Sequence, residues 1–243
     1  MRLLTIENAK TVKGEKLGYL TGILYLAPAH ESGVMNICPM STEGCRKDCL
    51  YTAGRGVFTA IIAARVRKTQ WLASDREGFM AQLRKDIGSL VTRAKREGLT
   101  PAVRVNGTSD LPWLAQAMAV EFPAVQFYDY TKIPRPWART LSNYHLTFSL
   151  SESNYVDALE VLRQGMNVAV VFNVKRGQPL PDTWNGVPVV DGDAHDLRFL
   201  DAHRLALVVG LRAKGRARKD TGSGFVQIAG VLKAESDMER DRR

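Results

Sequence analysis

NVAVVF, residues 167–172, is the stretch on which the fold class turns. Its β-branched and aromatic side chains show no polar alternation, so it reads as a strand buried on both faces, the habit of parallel sheets. A helical pattern over residues 155–164 precedes it and stops at Gly165. Outward from this unit, similar short apolar strands are predicted over 17–27, 102–105, 125–128, 145–150, 187–190 and 205–209, with a last one over 225–228. Helices are predicted over 57–73, 112–120 and 136–141. The clearest carries Phe79, Leu83, Ile87, Leu90 and Ala94 at three- and four-residue steps and ends at Gly98. Strands alternating with helices imply βαβ units and a parallel sheet. The expectation is therefore an α/β fold, a closed or partly open (β/α) barrel of mostly parallel strands in a single domain. A doubly wound open sheet is the alternative. No G-x-G-x-x-G or P-loop follows any strand, which argues against a dinucleotide- or NTP-binding sheet. Residues 17–232 form the predicted barrel, 1–16 a basic N-terminal arm with Lys10, Lys13 and Lys16, and 233–243 a charged tail.

The chain of 243 residues is 45% hydrophobic, enough for one large core. It shows no signal-peptide pattern and no apolar run near the length of a membrane span, so a soluble, cytoplasmic protein is expected, without a membrane partner. The formal net charge of +9 favours a polyanionic partner such as nucleic acid or a nucleotide.

All three cysteines lie in CPMSTEGCRKDC, residues 38–49, spaced C-x6-C-x3-C. An odd count in a chain without secretory features does not suit a disulfide framework. Clustered thiols suit zinc, copper(I) or an iron–sulfur centre, so Cys38, Cys45 and Cys49 are the candidate metal ligands. A structural zinc site would need a fourth ligand, for which His30 is a candidate. The plain alternative is three small buried cysteines in a loop.

Barrel active sites lie where strands end at their carboxyl side. There this chain places Asn106-Gly107-Thr108-Ser109-Asp110, then Asp129 and Lys132, then Ser149, Ser151 and Glu152, then Asp191, Asp193, His195 and Asp196. Asp110, Asp129, Lys132 and Asp191 are the candidate catalytic groups. Asp110 can instead cap the helix opened by Pro112, and the DGDAHD run can be a solvated turn. RAKGRARK, residues 212–219, holds five cations. Arg212, Lys214, Arg216, Arg218 and Lys219 form either a solvated loop or a grip on nucleic-acid phosphates. Tyr51, Phe58, Tyr128, Tyr130 and Trp137 are candidates for stacking on bases, or for core and rim.

The cysteine loop after the first strand and before the first long helix resembles the radical S-adenosylmethionine enzymes. That resemblance implies a [4Fe–4S] cluster on Cys38, Cys45 and Cys49, with S-adenosylmethionine at the open iron. It implies a cofactor-binding role for Asn106, Gly107 and Ser109, which stand where that superfamily holds the methionine amino group, and for Tyr51 just past the cysteines. Two departures stand out: the superfamily spacing is C-x3-C-x2-C, and its Gly-Gly-Glu-type motif is only approximated. The chain also resembles small bacteriophage proteins that pair a spaced three-cysteine loop with strands such as VRVNGTSD, FYDYTK and HLTFS, a likeness that implies no activity by itself.

Three functions follow. The first is a metal- or iron–sulfur-dependent barrel enzyme that modifies a nucleic acid or nucleotide. The second is a 7-deazaguanine-type base-exchange transglycosylase acting on DNA through aspartates, with zinc only structural. Such enzymes carry their zinc site late in the chain, whereas these cysteines come early. The third is a basic nucleic-acid-binding protein, not an enzyme, whose thiols hold a structural metal.

Overall fold

A computed structural model of the chain describes residues 1–6, 11–134, 141–201 and 205–229. The expected alternation is present. The strands are β1 (Leu4–Thr5), β2 (Tyr19–Leu24), β3 (Thr100–Arg104), β4 (Gln126–Thr131), β5 (Tyr144–Ser149), β6 (Val168–Phe172), β7 (Thr183–Trp184), β8 (Val187–Asp191), β9 (Val208–Arg212) and β10 (Val226–Gln227). The helices are α1 (Thr11–Glu15), α2 (Glu43–Lys47), α3 (Thr59–Ser74), α4 (Arg76–Glu97), α5 (Pro112–Glu121) and α6 (Tyr155–Arg163).

The strands form one sheet in the order β1-β2-β3-β4-β5-β6-β9-β8-β7, and β10 pairs with β6. From β2 to β8 every neighbouring pair is parallel; β1 and β7 cap the two ends in antiparallel fashion. The sheet is therefore open. β2 takes β1 on its outer side and β8 takes β7, so the closed form of the predicted barrel does not occur. Five successive strands, β2 to β6, step in one direction, as they would in a barrel.

Strand parity divides the core. Leu20, Leu24, Val103 and Phe127 face a layer that includes Phe79, Leu83, Ile87 and Leu90 of α4 and Leu114 and Met118 of α5. Phe148, Val168, Val170 and Phe172 pack with Tyr155, Ala158, Val161 and Leu162 of α6. The predicted apolar stripe of α4 is buried at every position, and the helix starts under an Asp75 cap and stops at Gly98, whose φ of 67° is left-handed.

The other face carries Tyr19, Ala102 and Tyr128, covered by Leu197 and Phe199 rather than by a long helix. Phe199 sits edge-on to both Tyr19 and Tyr128. Residues 196–201 thus plug this face. Arg104 pairs with Asp196 at 3.0 Å, with both side chains buried. Arg198, 0% exposed, donates to the His195 carbonyl and lies 3.4 Å from Asp201.

Of the predicted N-terminal arm, the described residues 1–6 join the sheet and its core. β1 pairs with β2, and Leu3, Leu4 and Ile6 are buried. Asp86 of α4 accepts from the backbone N–H groups of Leu3 and Leu4. The strand predicted over 205–209 lies three residues later, at β9. The helix predicted over 136–141 falls, except for Leu141, outside the described residues, as do the tail 233–243, Lys10 and Trp137. No helix among the described residues is long and apolar enough to cross a membrane.

Candidate functional site

The cysteine loop follows β2 and returns over the carboxyl ends of β3, β4 and β5. Its path is fixed by bonds to each neighbour. The Asp110 N–H donates to the Ile37 carbonyl, and the Thr108 hydroxyl donates to the Leu26 carbonyl. Cys38 Sγ lies 3.4 Å from the Ala29 amide nitrogen, which donates to it, and 3.8 Å from the Thr108 carbonyl oxygen. Thr42 caps α2 by accepting from the Cys45 N–H. Glu152, just past β5, accepts from the Thr42 hydroxyl at 2.7 Å and from the Gly44 N–H at 2.6 Å. Glu152 is the clamp of the thiol loop. The sequence shows it only as one more polar residue at a strand end.

None of the three cysteines is in a disulfide, and all are half-buried. Burial pushes the Cys38 thiol up to about 11, and Cys49, Cys45 and Asp110 add to the rise. Burial likewise raises Cys49, with Cys45 adding to it, while Lys132 and Arg65 pull the other way. The sulfurs are thus electrostatic neighbours of one another, of Asp110 and of two cations. Arg65 lies over the rings of Tyr25 and Tyr51, at 5.2 and 5.4 Å from their centroids. Lys132 Nζ donates to the Ser149 hydroxyl at 3.2 Å, and the Lys132 N–H donates to Asp110.

Clustered cysteines, which give up their protons when a metal binds, are the donor chemistry of a thiophilic metal. The residues fit such a centre by type and by neighbourhood. Among the described residues, however, no three His, Cys, Asp or Glu groups already form a ligand cage. His30 is exposed on the turn before the loop.

The loop after β3 has a different role. The Asn106 carboxamide oxygen accepts from the Ser109 hydroxyl and the Leu111 N–H, and its nitrogen donates to Asp129. A Cβ on Gly107 would come within 2.7 Å of the Leu24 carbonyl oxygen, so glycine is required by the close approach to β2. Asn106, Gly107 and Ser109 therefore hold the loop in shape.

Of the four candidate catalytic groups, Asp110 and Lys132 act on the thiols through their charge, Asp110 raising Cys38 and Lys132 lowering Cys49. Asp129 does not. It shares the parity of Phe127 and points into the helix-side layer, where it is 1% exposed and accepts from the Asn106 N–H, the Asn106 amide and the Tyr144 hydroxyl. Asp191 lies on β8, towards the far end of the sheet, and binds Arg212 at 2.9 Å. The predicted ring of acids is thus broken in two places.

The basic segment divides as well. Arg212 is held by Asp191 and Asp193, and Lys214 by Asp193. Arg216, Arg218 and Lys219 are exposed. They lie on a short 3-10 helix (Gly215–Lys219) that packs against the Leu50–Thr52 turn immediately after Cys49. Cys45 packs against the cluster of Ala213, Ala217, Phe225 and Val226. A cleft of about 520 Å³ runs between α2 and this segment, lined by Glu43, Lys47, Glu152, Lys219 and Ser223, but no thiol lines it.

Among the stacking candidates, Tyr51 is taken up by Arg65, and Tyr128 and Tyr130 lie on the plugged face, Tyr130 against Arg104 at 4.7 Å. Phe58 alone of the described candidates is exposed.

An open parallel sheet with a thiol loop at its carboxyl end defines an α/β protein with one candidate centre. The chain belongs to the gene product 88 family, a phage-type family whose model matches residues 2–227. Comparison with curated proteins and with solved structures yields no match.

Proposed function

We propose that the protein is a metal-thiolate or iron–sulfur enzyme that modifies a nucleic acid or nucleotide. The observation that carries this reading is the placement of Cys38, Cys45 and Cys49 on one loop that is bonded to the loops after β3 and β5, at the carboxyl ends of parallel strands, where ligands of open α/β sheets bind. Cys38, Cys45 and Cys49 would hold the metal or cluster. With three thiolates on a [4Fe–4S] cluster, an open iron and S-adenosylmethionine would together supply one-electron chemistry. Lys132 and Arg65 would offset the negative charge of Cys49 once a metal displaces its proton, and Glu152 holds the loop that carries the cysteines. Zinc on the same thiols is the alternative occupant. Asp129 and Asp191, engaged elsewhere, leave the transglycosylase reading with Asp110 alone.

Anaerobic purification with an absorption spectrum and iron, sulfide and zinc analysis tests the reading. Brown protein with iron and sulfide is expected. Cys38→Ala, Cys45→Ala and Cys49→Ala should each reduce bound metal to a similar extent, because each removes one ligand of a shared centre. If all three keep full metal content, or if the native protein binds neither iron nor zinc, there is no such centre. Zinc without iron would favour a structural metal in a binding protein.

A second expectation concerns the surface cations. Binding to a generic nucleic acid should weaken steeply with salt, and joint replacement of Arg216, Arg218 and Lys219 by alanine should lower the log–log salt slope by about 2–3. The Arg212→Ala variant should change that slope less, since its charge is already met by Asp191 and Asp193. Equal effects from the two variants would leave the segment without a distinct phosphate-facing side.

A further inference from the structure

We infer that the nucleic acid taken at this site is single-stranded, with Phe58 as the platform on which a base stacks. The inference rests on the proposed reading that the thiol loop faces a nucleic acid.

Three observations support it. First, exposed apolar side chains stand on the cysteine loop and on the segments just before and after it. Val34, Met40, Leu50, Val57 and Phe58 are all about half exposed, and they flank Cys38 and Cys49 in sequence. Phe58 is 57% exposed at the start of α3, the helix whose Arg65 stands beside Cys49. Exposed aromatic and aliphatic groups have little to offer the sugar–phosphate exterior of a duplex. Base faces, in contrast, are apolar, and a single strand presents them.

Second, exposed cations come from two segments distant in sequence, one of which packs on the turn that directly follows Cys49. Arg46, Lys47 and Arg55 lie within or just after the cysteine loop, and Arg216, Arg218 and Lys219 come from the segment packed on the Leu50–Thr52 turn. A cationic track beside stacking side chains is the arrangement that single-strand binders use. The complementary charge and the apolar rim thus select one occupant.

Third, the thiols themselves are recessed. Cys38 lies against the hydrophobic core and Cys45 packs among Ala217 and Phe225. A base that reaches them must leave a duplex stack, which costs least when no duplex exists.

The test is fluorescence anisotropy with a labelled 20-nucleotide single strand and the same sequence as a duplex, on the full chain as purified. The single strand should bind at least tenfold more tightly. Phe58→Ala should weaken single-strand binding by about 5- to 150-fold, the span corresponding to one lost stacking contact, while duplex binding and the salt slope stay the same. Phe58→Trp should retain the affinity, which separates stacking from a folding defect. Equal affinity for both forms, or a Phe58→Ala variant that binds the single strand as the native protein does, overturns the inference, as does absence of binding to either. Metal content read on the same preparations keeps the two questions apart. Protein without metal that still prefers single strands through Phe58 sinks the metal reading alone.

Discussion

Replacing Asp196 by alanine is expected to destabilise the protein by about 3–5 kcal/mol. The Arg104 guanidinium would remain buried, with its 3.0 Å partner gone. Its Nε already lacks a hydrogen-bond partner, so the strand offers no ready substitute. Asp196 holds the Arg104 charge firmly in place against the burial that opposes it. Arg104 also rests on the Tyr130 ring, and the Tyr128 hydroxyl lies 3.4 Å from Asp196, so the loss should spread across the plugged face. Chemical denaturation measures the effect. The joint Arg104→Met, Asp196→Leu variant should recover most of the stability, because an apolar pair removes the stranded charge together with its partner. A loss below 1 kcal/mol in Asp196→Ala would mean that the ion pair is not what seats residues 196–201.

The parallel sheet was legible because strands such as β6 are buried on both faces and therefore lack alternation. Helix α4 was legible for the opposite reason: its apolar residues, from Phe79 to Ala94, repeat at helical spacing over about four turns. Closure was not legible. Whether β2 meets β8 depends on the small pieces β1 and β7, two residues each, which are too short to show any periodicity. The displaced start of β9 has a similar cause. Leu205 and Leu207 look as strand-like as Val208 and Val209, and only the pairing with β6 selects among them.

At the site, strand polarity alone put the cysteine loop, Asp110 and Lys132 at the same end of the sheet. The direction of Asp129 did not follow from it. In FYDY, residues 127–130, aromatic groups occupy both parities, so nothing local says which side is the helix layer. Glu152 and Asp196 were hidden for a further reason. Each acts on a partner about a hundred residues away, Gly44 and Arg104, and no local pattern encodes such a meeting.

Asp129→Ala is expected to cost about 3 kcal/mol, since it leaves the Asn106 N–H, the Asn106 amide and the Tyr144 hydroxyl to find new partners in a closed layer. The pH dependence gives a sharper readout. Burial pushes this carboxyl up to about 7, although the Asn106 and Tyr144 donors work against the rise. In the unfolded chain it titrates near 4. Between about pH 4 and 7 the folded state therefore holds a proton that the unfolded state has released. Its contribution to stability is complete below about pH 4 and is lost as the pH rises through 7. The native protein should thus lose stability across that window, and Asp129→Asn, which imitates the protonated acid, should lose less of it. The asparagine variant should also stand nearer the native protein than the alanine variant at pH 5, because its carboxamide still accepts from the Asn106 N–H. Denaturation curves at pH 5, 6, 7 and 8 decide the matter. Parallel pH profiles for the native protein and Asp129→Asn would show that Asp129 stays ionised throughout, held by its three donors against the burial.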